Sequence, residues 1–370
     1  MANTLKFGNG EWYGKKDTIL AYNSENNNFK PLPFDFSRAS SATVVNKAGL
    51  IETVGSGTPR IDFKDDAKGA LLLEPARANL IPYSEDFSQW FQIGTATITS
   101  NYGVSPDGTQ NSSRLQMNAS DKIYFTVASS GDISFTVYLK GVGQIRLRDN
   151  TSTGLKDVTL TSEWVRYELN FNATISNFQI EQQTGVSDFE IYGAQLEQGS
   201  YATSYIPTSG SAVTRVADAC TNGGNDQVIN STEGVFYAEV ENSSPSTSTR
   251  GWVLQSSLNN GSDLIGIRFN SSQLINFYLR ANSVTTINVN VSNTYNGFIK
   301  IALKYKSGEN SLWINGVEVH SNTTAFSFNN SLSNLGNYDG LGNYGYFNIK
   351  DTKLYNTALT DSELQKLTTI

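Results

Sequence analysis

The stretch "YATSYIPTSGSAVTRVAD", Tyr201 to Asp218, interrupts a chain that otherwise reads as short alternating strands, and its reading decides how the rest is divided. It holds Pro207, Gly210 and a series of small hydroxyl residues, which favour turns and extended backbone over a deep pocket. Ser209 and Ser211 are nucleophiles by residue type. The chain has one histidine, His320 in "NGVEVHSN", whose place on an evident strand marks it as a rim or partly buried side chain, so no base is at hand to activate them. The stretch reads as a seam between two folded bodies that meet near Ile206.

On its N-terminal side, residues 80–207 carry strands of two-residue period. "ISFTVYLKG" places Ile133, Phe135, Val137 and Leu139 on one face, and "WVRYELNF" sets Val165, Tyr167, Leu169 and Phe171 opposite Trp164, Arg166, Glu168 and Asn170. Several such strands, separated by turn signals, must hide one face each, which predicts a β-sandwich. Residues 36–79, with "FSRASSATVVNKAGLIETV" and "KGALLLEPARANL", predict a small β-rich unit. Residues 1–35 are rich in Asn and Lys, and "NSENNNFKPLP" has neither helical nor strand period, so an N-terminal arm is expected there.

On the C-terminal side a linker over 208–224 leads to a second sandwich over 225–370. "GVFYAEVE" alternates Phe236, Ala238 and Val240 with polar neighbours, and "FIKIALKYK" sets Ile299, Ile301, Leu303 and Tyr305 against Lys300, Lys304 and Lys306. In "SLWINGVEV" the pair Asn315-Gly316 predicts a hairpin with a type I′ turn. "TDSELQKLTT" opens with a capping box, Thr360 and Glu363, and predicts one short helix that closes an all-β chain.

Composition agrees and removes whole classes of function. The chain has 370 residues, enough for two or three domains; only 16% are charged, and the 18 Tyr and 19 Phe suit pleated, half-buried surfaces. A net charge of -7 offers no attraction to phosphate backbones or anionic lipid, so nucleic acid is not an expected partner. Cys220 is the sole cysteine, which rules out an intrachain disulfide, and zinc lacks its usual ligands. The start "MANTLKFGNG" has no secretory pattern and no apolar run is of membrane-spanning length, so folding in a cytoplasm without membrane insertion is expected. The N-x-S/T matches, such as that at Asn111, are what chance gives in so Asn-, Ser- and Thr-rich a chain.

Sugar recognition needs flat apolar faces for the C–H side of a pyranose and planar polar groups for its hydroxyls. "NLGNYDGLGNYGYF" supplies both: Tyr338, Asp339, Asn343, Tyr344 and Tyr346 in a Gly-rich loop are the candidate ligand-binding residues. The competing reading is a long turn at a sandwich rim. Trp90, Tyr102, Tyr138, Trp164 and Tyr167 are candidates for a second platform, against the reading that a Trp on an alternating strand is core. A glycosidase needs only two carboxylates at a defined separation, and Glu74, Glu163, Glu239 and Asp263 are the candidates; no catalytic residue is assigned, because acids on exposed strands are usually solvated.

The strings "LLEPARANLIPYSEDFSQW", "SFTVYLKG", "VTLTSEWVRYEL" and "IYGAQLEQGSYATSYIPTSGSAVTRVAD", in that order between Phe36 and Asp218, resemble bacteriophage head- and tail-fibre proteins with a carbohydrate-binding-module-like jelly roll. In those proteins the opening stretch is the exit from the jelly roll. Gly234 to Leu367 resembles the concanavalin A-like or laminin-G-like sandwich, with "LWINGVEV" as its central hairpin, although Asn348 in "YFNIKD" stands where many members have glycine. "LKFGNGEW" and "LAYNSENNNFKPLPFDFSR" resemble appendage proteins of crAss-like phages. The resemblance implies a non-enzymatic virion protein, attached to other virion proteins through its arm, homo-oligomeric and trimeric, that touches host-surface glycan. It implies no cofactor, with calcium as a compatible ion because both families sometimes use it. The alternatives are a glycan-depolymerising spike enzyme and a purely architectural decoration protein.

Overall fold

In the computed structural model, residues 4–21, 32–241, 250–257, 260–270, 274–292 and 296–370 are described. Strands dominate, every pairing is antiparallel, and the one α-helix among the described residues is Asp361–Thr368. The chain divides into two compact units, residues 1–39, 55–75 and 217–370 forming the first and residues 40–54 and 76–216 the second.

The first unit is a sandwich. One sheet runs in the order Val317–Asn322, Asn310–Ile314, Ile299–Lys306, Glu233–Glu241, Asn348–Tyr355, Ala70–Leu72 and Ile61–Asp62, with Leu5–Gly8 also paired to Asn348–Tyr355. The other runs Val284–Val291, Ile275–Ala281, Leu264–Phe269, Arg250–Ser256 and Leu332–Gly336. Phe236, Ala238 and Val240 of the first sheet share one core with Trp252, Ile267, Phe277 and Leu279 of the second. The opposite side of Glu233–Glu241 is buried too: Val235 and Tyr237 form a smaller cluster with Trp313, Tyr355 and Leu364 of the closing helix. The predicted turn and cap are present. Asn315 and Gly316 have φ of 48° and 84°, and the Glu363 carboxylate accepts the Thr360 N–H at 2.9 Å.

The expected arm is part of this core. Leu5, Phe7, Ile19, Ala21, Phe34 and Phe36 are buried, and Phe34 stacks on Trp252 with ring centroids 5.8 Å apart. Leu32–Ser37 pairs on one side with Thr18–Ala21 and on the other with Ala219–Thr221. Gly223 is required at this point, since a Cβ there would stand 2.0 Å from a ring carbon of Phe34. Most of the run 23–33 quoted for the arm lies outside the described residues.

The second unit is a jelly-roll sandwich in the strand order Thr97–Thr99, Ser113–Asn118, Val186–Gln198, Lys122–Val142, Val165–Glu181, Gln144–Asp149 and Leu155–Thr159. Ile133, Phe135, Val137 and Leu139 are fully buried, as their alternation predicts. The 21-residue strand Lys122–Val142 shifts register between Thr126 and Ser129. A bulge of this kind bends a strand and increases its local twist.

The opening stretch contains the boundary between the units, but at Val216/Ala217 and not near Ile206, and the chain passes between the units at three earlier points as well. Nor are residues 208–224 a bare linker. Val213–Arg215 pairs with Arg77–Asn79, and Ala219–Thr221 joins the first unit. The stretch is pinned by side chains: Asn79 Nδ2 donates to the Ile206 carbonyl at 2.9 Å, Gln195 Oε1 accepts the Ile206 N–H at 2.6 Å, and Ser84 Oγ accepts the Thr208 N–H at 2.9 Å. The small unit expected over 36–79 is likewise shared, residues 40–54 going to the second unit and 55–75 to the first.

Cys220 is fully buried, with its N–H donated to Asn337 Oδ1 at 2.9 Å, and burial pushes its thiol well above the usual range. The native protein is therefore expected to take up no thiol reagent at neutral pH and about one equivalent once unfolded, which a colorimetric thiol assay checks. Rapid labelling of the native chain would contradict the burial.

Candidate functional site

The five-stranded sheet of the first unit has one face in the core and one that is polar. Antiparallel register aligns the polar side in rows: Gln255, Leu264 and Arg280 in one, Val253, Gly266, Tyr278 and Asn288 in the next, Gly251, Arg268, Asn276 and Asn290 in the third. The glycines matter because Arg268 lies flat. A Cβ on Gly251 would meet Arg268 Cγ at 2.6 Å, and the guanidinium carbon sits 3.8 Å from the Tyr278 ring centroid. Burial works against the charge of Arg268 and lowers its pKa, while Asp339 opposes that shift through an ion pair of 3.5 Å.

Towards the edge strand Val284–Val291 the face opens, with Thr285, Asn288 and Asn290 exposed. Asn276 Nδ2 donates to Asn288 Oδ1 at 2.7 Å and to Asn290 Oδ1 at 3.0 Å, forming an amide ladder, and the Tyr278 hydroxyl bonds to Thr285 Oγ1 at 2.8 Å. Arg280 is half-buried; it makes no hydrogen bond or ion pair among the described residues, and its Nε is shielded from solvent without a partner.

The Tyr-rich loop stands beside this face. At its base the buried Asn337 Nδ2 donates to the Gly345 carbonyl at 2.9 Å. Tyr338 and Tyr344 form an antiparallel bridge with rings 4.8 Å apart, and Gly340 and Gly342 supply the positive φ of 71° and 97° that the turn between them needs. Asp339 is the loop's internal staple. It is 5% exposed, its Oδ1 accepts the N–H groups of Leu341 and Asn343, and its Oδ2 accepts Asn343 Nδ2 at 2.9 Å. Of the five residues singled out by sequence, Asp339 is thus occupied internally, Asn343 is exposed, and Tyr338, Tyr344 and Tyr346 are half-buried at the rim.

The polar face itself was missed. The signal was present in "LIGIRF", "INFYLRA" and "VTTINVNV", where Gly266, Arg268, Asn276, Tyr278, Arg280, Asn288 and Asn290 alternate with core residues. Arg268, Asn276 and Tyr278 in these rows are buried and bonded to their neighbours, so the exposed Asn288 and Asn290 and the half-buried Arg280 are the groups that offer donors and acceptors to a ligand rich in hydroxyls.

The other candidates distribute differently. Trp90 is core, 3% exposed and packed on Phe87; Tyr138, Trp164 and Tyr167 are half-buried, and Tyr102 is 46% exposed. Among the carboxylates, Glu74 pairs with Arg60 at 2.6 Å, Glu239 pairs with Lys350 at 3.1 Å, and Asp263 is fully buried, accepting the Asn282 N–H at 2.8 Å; Glu163 is exposed. His320 is half-buried and bonds to Asn322 at 3.2 Å. Among the described residues no three His, Cys, Asp or Glu side chains are grouped to hold a metal ion, and no helix is long and apolar enough to cross a membrane.

Residues 225–365 match the family model of the Concanavalin A-like lectin/glucanases superfamily, which places the first unit's main sandwich in that fold. No curated protein matches the chain. Solved structures with partial likeness include the Ruminococcus gnavus IT-sialidase CBM40, at 15% identity over 40% of this chain and 93% of that one with a TM-score of 0.33. A leech intramolecular trans-sialidase complexed with 2,7-anhydro-Neu5Ac shares 22% identity over 40% of this chain and 26% of that one, with a TM-score of 0.32. A Trypanosoma rangeli sialidase in complex with sialic acid shares 10% identity over 95% of this chain and 65% of that one, also with a TM-score of 0.32. Overlaps of that size carry nothing about ligand or reaction.

Proposed function

We propose that the protein binds glycan without cleaving it, through the polar face of the five-stranded sheet and the tyrosine rim beside it. The observation that carries this reading is the exposed pair Asn288 and Asn290 at the edge strand with the half-buried Arg280 on the same face, backed by the buried Asn276 and Tyr278 and set in a lectin-type sandwich. The guanidinium of Arg280, whose Nε has no partner among the described residues, supplies donors for sugar oxygens, the asparagine ladder supplies both donors and acceptors, and the rim tyrosines supply apolar ring faces. Glu74, Glu239 and Asp263 are engaged internally, which favours binding over hydrolysis.

The wider setting we propose is a phage virion appendage, a reading supported by the fibre-like strings between Phe36 and Asp218. Several copies on one particle, as in a trimer, convert weak sites into useful avidity. Attachment through residues 1–35 as a free arm loses its support, because Leu5, Phe7 and Phe34 are core.

Arg280→Ala is expected to lower the apparent affinity of the full chain for its best ligand on a glycan array about tenfold or more, roughly 1.4 kcal/mol. Unchanged binding by a variant with wild-type melting would sink the assignment of this face. Mass spectrometry of purified particles from a phage encoding the chain checks the setting, and its absence from them would end that reading.

A further inference from the structure

The five-stranded sheet of the first unit ends on Val284–Val291, which is paired only with Ile275–Ala281. The Val289 carbonyl accepts Asn276 Nδ2 of that neighbour at 3.2 Å, so it points into the sheet. Backbone groups alternate in direction along a strand, which sends the N–H and C=O of Asn288 and Asn290 outward. Among the described residues these groups have no hydrogen-bond partner.

An open edge is a template for another strand, and proteins usually blunt it with charge, proline or brevity. This one has none of those guards. The strand "VTTINVNV" is eight residues long and holds neither a charged residue nor a proline. Other edge strands of the chain are charged, with Glu318 in Val317–Asn322 and Lys156 and Asp157 in Leu155–Thr159. The register shift beside Arg280 falls opposite the start of the strand and leaves residues 287–291 regular. On the inner side Ile287 is buried, while Val289 and Val291 pack against the core and stay half-buried, so the sandwich is unsealed along this edge.

We propose that residues 287–291 pair antiparallel with the same residues of a second copy of the chain, about a two-fold axis at Val289, so that two five-stranded sheets become one. A two-fold pairing must keep core side beside core side, because side chains alternate with a period of two. In this register Val289 faces its own counterpart, Ile287 faces Val291 of the other copy, and Asn288 faces Asn290 of the other copy. The outward groups of Asn288 and Asn290 then make about four ladder bonds across the axis. The residues favour a second copy over a foreign strand. With no charge on the edge nothing steers an oppositely charged partner to it, whereas the strand complements itself: aliphatic side chains meet aliphatic ones, and each asparagine offers the donor and acceptor that the other needs. Val289 and Val291 lose their remaining exposure to aliphatic groups of the copy, which closes the unsealed side of both cores. The contact closes at two copies and is not the contact of a trimer. It rests on the backbone edge and stands whether or not the polar face takes glycan.

Sedimentation velocity of the full wild-type chain over a concentration series is expected to show a reversible monomer–dimer equilibrium, and amide exchange at residues 288 and 290 is expected to slow as the dimer forms. Two double variants change only exposed side chains: Asn288→Lys with Asn290→Lys, and Asn288→Asp with Asn290→Asp. Each sets like charges opposite one another across the axis, and each is expected to raise the dimer dissociation constant tenfold or more with little change in melting temperature. Mixed in equal amounts, the two variants place lysine opposite aspartate, and the dimer is expected to return. A wild type that stays monomeric at its highest soluble concentration, or that forms only trimers, overturns the inference. So does a dimer that both variants leave intact, or a mixture that fails to associate. Should either variant not fold, the wild type alone decides, since a dimer with no slowing of exchange at residues 288 and 290 is formed elsewhere.

Discussion

Asp218→Ala is expected to destabilise the first unit by about 3–5 kcal/mol, the cost of breaking a buried ion pair from one side. Asp218 is fully buried and ends the stretch on which the division of the chain turns. Its Oδ1 accepts Arg38 Nη1 at 3.1 Å, and its Oδ2 accepts Arg60 Nη2 and, at 2.9 Å, the Glu74 N–H. Burial works against the charge of Arg60, but Asp218 and Glu74 more than offset it and raise its pKa. Without Asp218, the buried Arg38 and Arg60 each lose a carboxylate partner. The exposed pair Arg146–Asp157 is the control, since removing it is expected to cost about 0–1 kcal/mol. Urea unfolding followed by hydrogen exchange at residues 60–74 and 217–240 reads the first unit separately. A loss below about 1 kcal/mol there would show that the cluster is not closed as described.

Phe34→Ala is expected to cost about 3–5 kcal/mol in the same unit, the usual penalty for emptying a buried aromatic position. Phe34 touches three partners that enter the core from distant parts of the sequence: Phe7 at a ring separation of 5.1 Å, Trp252 at 5.8 Å, and the Gly223 backbone, which has no side chain to keep it away. If residues 1–35 were a detachable arm, the change would be silent in urea and residues 225–370 would fold equally well without them. Equal midpoints for the wild type and Phe34→Ala would restore the arm.

These two residues also mark where the sequence stops being informative. Alternation in "ISFTVYLKG" and "FIKIALKYK", the Asn315-Gly316 turn and the Thr360 cap are local signals, and each has its element in the structure. Phe34 sits in the short strand Leu32–Ser37, whose partners, Thr18–Ala21 and Ala219–Thr221, are respectively near and nearly two hundred residues away. No period in the strand itself reports the distant partner. Asp218 reads as one acid among the 34 Asp and Glu of the chain until Arg38 and Arg60 are brought to it. For the site, the Tyr-rich loop was legible by composition. Asp339 was not legible as a staple, because its ligands are the N–H groups of its own loop. The rows on the five-stranded sheet depend on register between strands, which the sequence carries only as alternation within each strand.

The most direct measurement of the central claim records binding and cleavage together: titration of the full chain with the glycan it retains best on an array, with reducing ends counted in the same samples over several hours. Saturable binding with no new reducing ends is the predicted result. New reducing ends that disappear when a carboxylate is substituted, or no retained glycan at any protein concentration, would contradict it.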